Sequence, residues 1–344
     1  MRILLPTDPF LPVPPPLYGG VERIVATLLA ELRRRGHQVG LVAHPDSTAA
    51  ADYFLAWPKV MPRSAVAHAR NTLALRKAVS RFRPSIVHSF SRLLYLAPLL
   101  AARVPKIMSY QRFPGGRQIS AAALVGRSSL MFTGCSTFIA TMGGKYGGAW
   151  RTVPNFVDTD LYKFVPRVPN DAPLVFLSRV EPIKGAHIAI EIAKQAGRRL
   201  VIAGNHSETG VEGEYWRTMI KPQLAHAAID YVGAVDDKAK IELLGSAAAM
   251  IVPIQWDEPF GIVFAEALAC GTPVITCPRG ATPEIIRNGI DGFLITDVEQ
   301  GCQAVQKLDT IDRRQCRARA EQAFSAAAVV PQYELLYQEL LAKS

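Results

Sequence analysis

The sequence predicts an α/β protein built as two doubly wound parallel-sheet domains, and three observations carry that expectation. Short apolar runs alternate with longer amphipathic stretches along most of the chain. A segment at 155–173, with Pro166, Pro169 and Pro173 and little periodic apolar content, separates two such series. The length of 344 residues is enough for roughly two domains and for a sizeable core in each. Composition agrees, since 49% hydrophobic, 20% charged and 8% aromatic residues describe a folded globular chain, not a disordered or fibrous one.

In the first series the expected strands are 2–6, 39–43, 85–89, 106–110, 130–133 and 151–154, each short and apolar, as strands buried on both faces are. Residues 21–35 read as the first helix, with Ile24, Val25, Leu28, Leu29 and Leu32 at helical spacing and Gly36 closing it. The second series places strands at 174–178, 200–203, 230–232, 249–253 and 273–276, with a late short one near 293–295. Helices are expected at 186–196 and 262–269, and a terminal helix at 325–341. No repeat of solenoid length is present.

Thirty-nine Lys and Arg against 29 Asp and Glu give a net charge of +10, which favours an anionic partner: nucleic acid, acidic lipid or a phosphorylated small molecule. Nucleic acid is the weakest of these, because no basic run with interleaved aromatics and no known module signature occurs. The five cysteines, Cys135, Cys270, Cys277, Cys302 and Cys316, form no C-x-x-C pair and are odd in number. They are expected to be reduced thiols rather than a disulfide framework or zinc cluster. The opening MRILLPTDPF reads as a first strand and loop rather than a signal peptide, and no run of about 18 apolar residues is present. A cytoplasmic protein is the expectation, peripheral at the inner face of a membrane if the charge serves lipid.

Three stretches carry chemistry. In Val252-Pro-Ile-Gln-Trp-Asp-Glu258-Pro-Phe260-Gly261-Ile262-Val-Phe-Ala-Glu266 a strand ends, Pro259 and Gly261 make a tight loop, and a helix opens at about Ile262. The free amides of that turn and the helix dipole form an anion site at the carboxyl end of a strand. Glu258 and Glu266 flank it, placed to accept from ribose and sugar hydroxyls; equally, Glu266 is an ordinary helix carboxylate and Glu258 a cap. In Ser178-Arg179-Val-Glu-Pro-Ile-Lys184-Gly185 a guanidinium fork and a lysine point charge follow another strand, a pair suited to a diphosphate. In Tyr18-Gly19-Gly20-Val-Glu22 two glycines open the first helix and let backbone approach a ligand. That spacing is neither G-x-G-x-x-G nor a P-loop.

At these residues the sequence resembles the retaining glycosyltransferases of family 4, which have the GT-B fold. EPFGIVFAE matches that family's E-x7-E motif, and the following ALACGTPVI…GATPEIIRNGIDGFLI matches as well. SRVEPIKG is similar to its arginine–lysine diphosphate motif, YGGVE to its glycine-rich loop, and VPNFVDTDLY to its interdomain segment. The resemblance spans nearly the whole chain and is dense from about 174 to 295. It implies two Rossmann-like domains facing each other across a cleft, 1–163 and 164–324, with a C-terminal helix at about 325–344 crossing back to the first.

For function, the resemblance implies transfer of a sugar from a nucleotide diphosphate to an acceptor hydroxyl with retention of configuration and no metal, UDP being favoured over GDP. It implies catalytic roles for Arg179, Lys184, Glu258 and His88. Donor contacts would come from Gly19, Gly20, Arg179, Lys184, Glu258, Phe260, Gly261, Ile262 and Glu266, with Glu266 on the ribose. Acceptor-side candidates are Glu22, Tyr110, Gln111 and Arg112, for a saccharide, a lipid-linked saccharide or a small molecule.

The chain departs from the pattern in two places. Relatives often carry H-x-H where it has His88-Ser89-Phe90, and a histidine where it has Ser109-Tyr110-Gln111-Arg112. His88 is therefore either catalytic or a core histidine. These departures leave a second reading, a sugar-nucleotide-binding or scaffold protein that has lost catalysis. Asp158-Thr159-Asp160 has the D-x-D form of a metal–diphosphate motif but lies in the interdomain segment, where it is read as structural.

Overall fold

The computed structural model describes residues 1–16 and 19–343. The chain divides into two compact units, Met1–Phe156 with Ala326–Ser344, and Val157–Ser325.

Unit 1 is built on seven strands: β1 (Arg2–Pro6), β2 (Gln38–Ala43), β3 (Tyr53–Ala56), β4 (Ile86–Ser89), β5 (Lys106–Tyr110), β6 (Leu130–Gly134) and β7 (Ala149–Thr152). All pairs are parallel and the order is β3-β2-β1-β4-β5-β6-β7. Ile3, Leu4, Leu5, Ile86, Val87 and Ile107 are wholly buried, which is why these strands read as unbroken apolar runs. The order reverses between β1 and β4, so the loops leaving their carboxyl ends diverge and open a crevice.

Unit 2 repeats the plan with β8 (Leu174–Leu177), β9 (Leu200–Ala203), β10 (Ile229–Gly233), β11 (Ala249–Val252), β12 (Val274–Thr276) and β13 (Gly292–Leu294), in the order β10-β9-β8-β11-β12-β13. Its pairs are parallel too. Here the reversal falls between β8 and β11, the two strands that feed the basic loop at 178–185 and the glutamate loop at 253–261.

The terminal helix, Ala326–Ala342, belongs to unit 1. Tyr333 and Tyr337 are buried there, Glu334 accepts from Arg35 Nε at 2.8 Å and meets His37 Nε2 at 2.7 Å, and Glu339 pairs with Arg151. Residues 157–163, which the sequence reading attaches to the first domain, fold with unit 2 instead. The cause is local bonding: Val157 N–H donates to Phe324 C=O at 2.8 Å and the Tyr162 hydroxyl donates to Glu266 at 2.5 Å. Strand β3, absent from the expected elements, is a four-residue edge strand that is only half-buried.

Candidate active site

The strand order of unit 2 brings together what the sequence separates. Gln255 N–H donates to Ile183 C=O at 2.7 Å, joining the basic and glutamate loops. Gly185, at φ +76°, lies so close to this junction that a β-carbon would sit 2.1 Å from Pro253 C=O. Gly185→Ala is therefore expected to destabilise the fold by at least about 1–2 kcal/mol from the left-handed backbone alone. Equilibrium denaturation of the variant checks this.

Across that junction Lys184 Nζ meets Glu258 Oε2 at 2.6 Å, both side chains 12% exposed. Trp256 Nε1 donates to the same oxygen at 2.9 Å, and its ring faces the Lys184 ammonium, 4.8 Å from the centroid. The Glu258 backbone is fixed by an Ala281 N–H donating to its C=O at 2.8 Å and by a bridge to Gly280. Arg179 lies on the same loop and pairs with Glu181. Gly261, at φ +82°, caps the helix Ile262–Ala269; Phe264 N–H donates to its C=O at 2.9 Å, and the amides of Ile262 and Val263 before it have no acceptor within the helix. Cation, carboxylate and helix N-terminus thus occupy one strand-end crevice.

Glu266 is buried on that helix, 4% exposed. Its Oε1 accepts from Tyr162 at 2.5 Å and from Lys240 Nζ at 2.7 Å, and Lys240 also lies 3.3 Å from Asp237. Glu266 is therefore a fixed carboxylate, not a solvated helix residue. Trp256, Lys240 and Tyr162 were outside the sequence expectations. Trp256 stands inside the glutamate motif, two residues from Glu258, and Tyr162 closes the interdomain motif VPNFVDTDLY; Lys240 comes from a distant segment and carries no local signal.

Unit 1 gathers the acceptor-side candidates around a cavity of about 670 Å³. Glu22, Tyr110, Gln111 and Arg112 all line it, as do Gly19 and Gly20. Tyr18, the first residue of the glycine-rich motif, lies outside the described residues. Burial pushes the Tyr110 hydroxyl up to about 12. It also raises Asp8 and Glu22 above the ordinary carboxylate range, Glu22 further through the Asp8 charge.

His88 requires a correction: it is a core histidine, not a group open to substrate. It is wholly buried, Nδ1 lying 2.7 Å from the Tyr337 hydroxyl and Nε2 2.7 Å from Ser109 Oγ, between the rings of Phe90 and Tyr333. Burial lowers its pKa to about 3. An unfolded chain takes up this proton near pH 6.5 and the native one does not. The stability contribution is full above pH 6.5 and declines as pH falls towards 3, by at most about 1.4 kcal/mol per pH unit. In thermal melts between pH 7 and 4 a His88→Asn variant, weaker throughout, is expected to lose stability less steeply than the parent.

Asp158 serves its own turn, Oδ1 accepting from Asp160 N–H at 3.0 Å and from Leu161 N–H at 3.4 Å.

Paired Rossmann-like units with strand-end sites define the GT-B class of glycosyltransferases, and comparison with known proteins agrees. The family model described as Glycosyltransferase Family 4 matches residues 18–161, and the one described as Glycosyl transferases group 1 matches residues 158–323. The chain has the GT-B fold, and two glycosyltransferase family models between them match residues 18–323. It is 28% identical over 380 residues to glycogen synthase of Mycobacterium tuberculosis, covering 93% of this chain and 89% of that protein. It is 28% identical over 143 residues to D-inositol 3-phosphate glycosyltransferase of Mycobacterium marinum, a stretch that spans only 31% of that protein's length and 41% of this chain. Among solved structures, HepE of Anabaena in complex with UDP and glucose shares the fold at a TM-score of 0.75 and 19% identity, covering 98% of this chain and 99% of that one.

Proposed function

We propose that this protein transfers a sugar from a nucleotide diphosphate, UDP in preference to GDP, to an acceptor hydroxyl, with retention of configuration and without a metal. The observation that carries the reading is the Lys184–Glu258 pair at the switch point of unit 2, beside the N-terminus of the helix Ile262–Ala269. Bond breaking puts negative charge on the departing diphosphate, and fixed cations and amides stabilise charge where it develops. Arg179, Lys184 and the amides near Gly261 hold the diphosphate, Glu258 a hydroxyl of the transferred sugar, and Glu266 the ribose. The bond from the anomeric carbon to the β-phosphate oxygen breaks, the bond to the acceptor oxygen forms on the same face, and the acceptor proton leaves with the phosphate. The UDP and glucose bound by HepE support a uracil nucleotide.

Incubation with UDP-, GDP- and ADP-sugars, with and without a chelator, tests this. Donor turnover that survives the chelator is expected; binding without turnover on any acceptor favours the scaffold reading, and neither binding nor turnover refutes both.

The charge has a second use in this proposal, peripheral binding to an anionic membrane. Unit 1 holds 21 Lys and Arg against seven Asp and Glu, whereas unit 2 holds 18 against 22. Between Asp52 and Asp158 there are fifteen basic residues and neither Asp nor Glu. On the helix Ala65–Phe82, Val66, Arg70, Leu73 and Lys77 are exposed at spacings that share one face. No described helix is long and apolar enough to cross a membrane. Cosedimentation with phosphatidylserine vesicles is expected at low salt and to fall as salt screens it. Salt-independent binding, or none, contradicts it.

A further inference from the structure

We propose that His206 is a positioning residue for the basic loop at 178–185, and that it acts in its doubly protonated, positively charged form. That this loop holds a diphosphate rests on the transferase reading; the charge of His206 does not. Strand β9 lies between β8 and β10, so the loop leaving it, residues 204–209, runs beside the basic loop. Asn205 C=O accepts from Val180 N–H at 2.9 Å, next to Arg179. Gly204, at φ +144°, approaches so closely that a β-carbon would sit 1.9 Å from Ser178 C=O. Whatever shifts 204–206 therefore shifts the backbone that carries Arg179.

His206 is gripped from three sides. Its ring stacks on Trp216, with 3.9 Å between centroids and 14° between planes, where the helix Gly210–Tyr215 runs on into a π-helical turn at Trp216–Ile220. Nδ1 lies 2.8 Å from the Tyr231 hydroxyl on β10, and Nε2 lies 2.7 Å from Glu208 Oε1. Tyr231 in turn donates to Gly204 C=O at 2.8 Å, which ties the histidine back to the residue that touches Ser178.

Counting protons sets the charge. The Tyr231 hydroxyl has one proton and a carbonyl only accepts, so that proton points at Gly204 and Nδ1 must donate to Tyr231. A carboxylate also only accepts, so Nε2 must donate to Glu208. Both bonds exist together only in the imidazolium, and a cation lying on the Trp216 face is further favoured. The groups packed around it leave this count intact. Burial, and then the Glu208 charge, raise Tyr231 above the ordinary phenol range, which keeps it a donor. Arg217 donates to Glu208 C=O at 2.8 Å, and on the basic loop Arg179 pairs with Glu181, near Glu212. Loss of one proton from His206 breaks its bond to Tyr231 or its bond to Glu208 and loosens the support under Val180.

The test joins nitrogen NMR of the histidine rings in the full chain to titrations with UDP and uridine, from about pH 5.5 to about pH 9, on the parent, His206→Ala and Glu208→Gln. The ionisation of UDP itself is common to all three, so ratios of affinity isolate the protein's part. At the acid end the His206 ring, assigned by its absence from His206→Ala, is expected to carry protons on both nitrogens. There the parent should bind UDP roughly 2- to 30-fold more tightly than His206→Ala. That ratio should shrink towards parity over the same pH range in which the ring loses its second proton. In Glu208→Gln the new amide donates to a neutral ring, so tight UDP binding should persist to the basic end. Uridine, which has no diphosphate, should bind all three alike.

A ring with a single proton throughout, a UDP ratio that does not change with pH, or an equal loss of uridine binding in His206→Ala overturns the proposal. If His206→Ala does not fold, Glu208→Gln decides alone, since Glu208 is 76% exposed; UDP affinity that falls with pH there as in the parent overturns the proposal. Uridine binding with a flat UDP ratio removes the role of His206 and leaves the transferase reading standing. A folded parent that binds neither nucleotide removes that reading, and the positioning role with it.

Discussion

Replacing Lys184 with alanine is expected to lower turnover at saturating donor by about 100- to 1,000-fold, the range seen when one preorganised stabiliser of developing charge is removed. In the ligand-free site this ammonium is paired with Glu258 at 2.6 Å and faces the Trp256 ring. A diphosphate arriving beside it exchanges one anion for another. The ammonium gains most when the anomeric bond breaks and charge accumulates on the phosphate, so the loss should appear in kcat more than in donor affinity. Truncation also strands the Glu258 carboxylate, with Trp256 as its remaining named partner. A thermal melt on the same samples therefore separates lost chemistry from lost fold.

The second large effect is expected from Glu266→Ala, and it falls on binding. Glu266 is buried and held by Tyr162 and Lys240, so in the proposed complex it would offer a ribose a carboxylate whose ordering cost has been met in folding. Hydrogen bonds to a charged group contribute about 1.5–3 kcal/mol, which corresponds to roughly 10- to 100-fold in nucleotide affinity. Because the uncharged nucleoside makes the same ribose contacts as the diphosphate, uridine binding should weaken with UDP binding. Lys184→Ala should leave uridine unaffected. Isothermal titration of uridine and UDP against both variants checks this division of labour.

Much of the fold is legible in the sequence because parallel strands buried on both faces leave short apolar runs between turn signals. Ile3 to Leu5 and Met250 to Val252 are such runs, wholly or almost wholly buried. Strand β3 is not legible for a different reason: Tyr53–Ala56, half-buried at the sheet edge, is an apolar run of only four residues without alternation, too short to mark a strand by itself.

The candidate site is legible only in pieces. The glycine, proline and charge pattern of each loop announces a strand-end turn. The adjacency of Lys184 and Glu258, 74 residues apart, depends on β8 and β11 being neighbours. No local pattern encodes that order; the family resemblance supplied it. His88 was open between two readings because its partner Tyr337 stands 249 residues away, on a helix whose packing the sequence does not specify.

The measurement that tests the account most directly is calorimetric titration of the full chain with UDP in the presence of a chelator. The account predicts one UDP bound per chain, with affinity reduced at least about tenfold in Glu266→Ala. Absence of binding by UDP and GDP alike, or affinity unchanged in that variant, would contradict it.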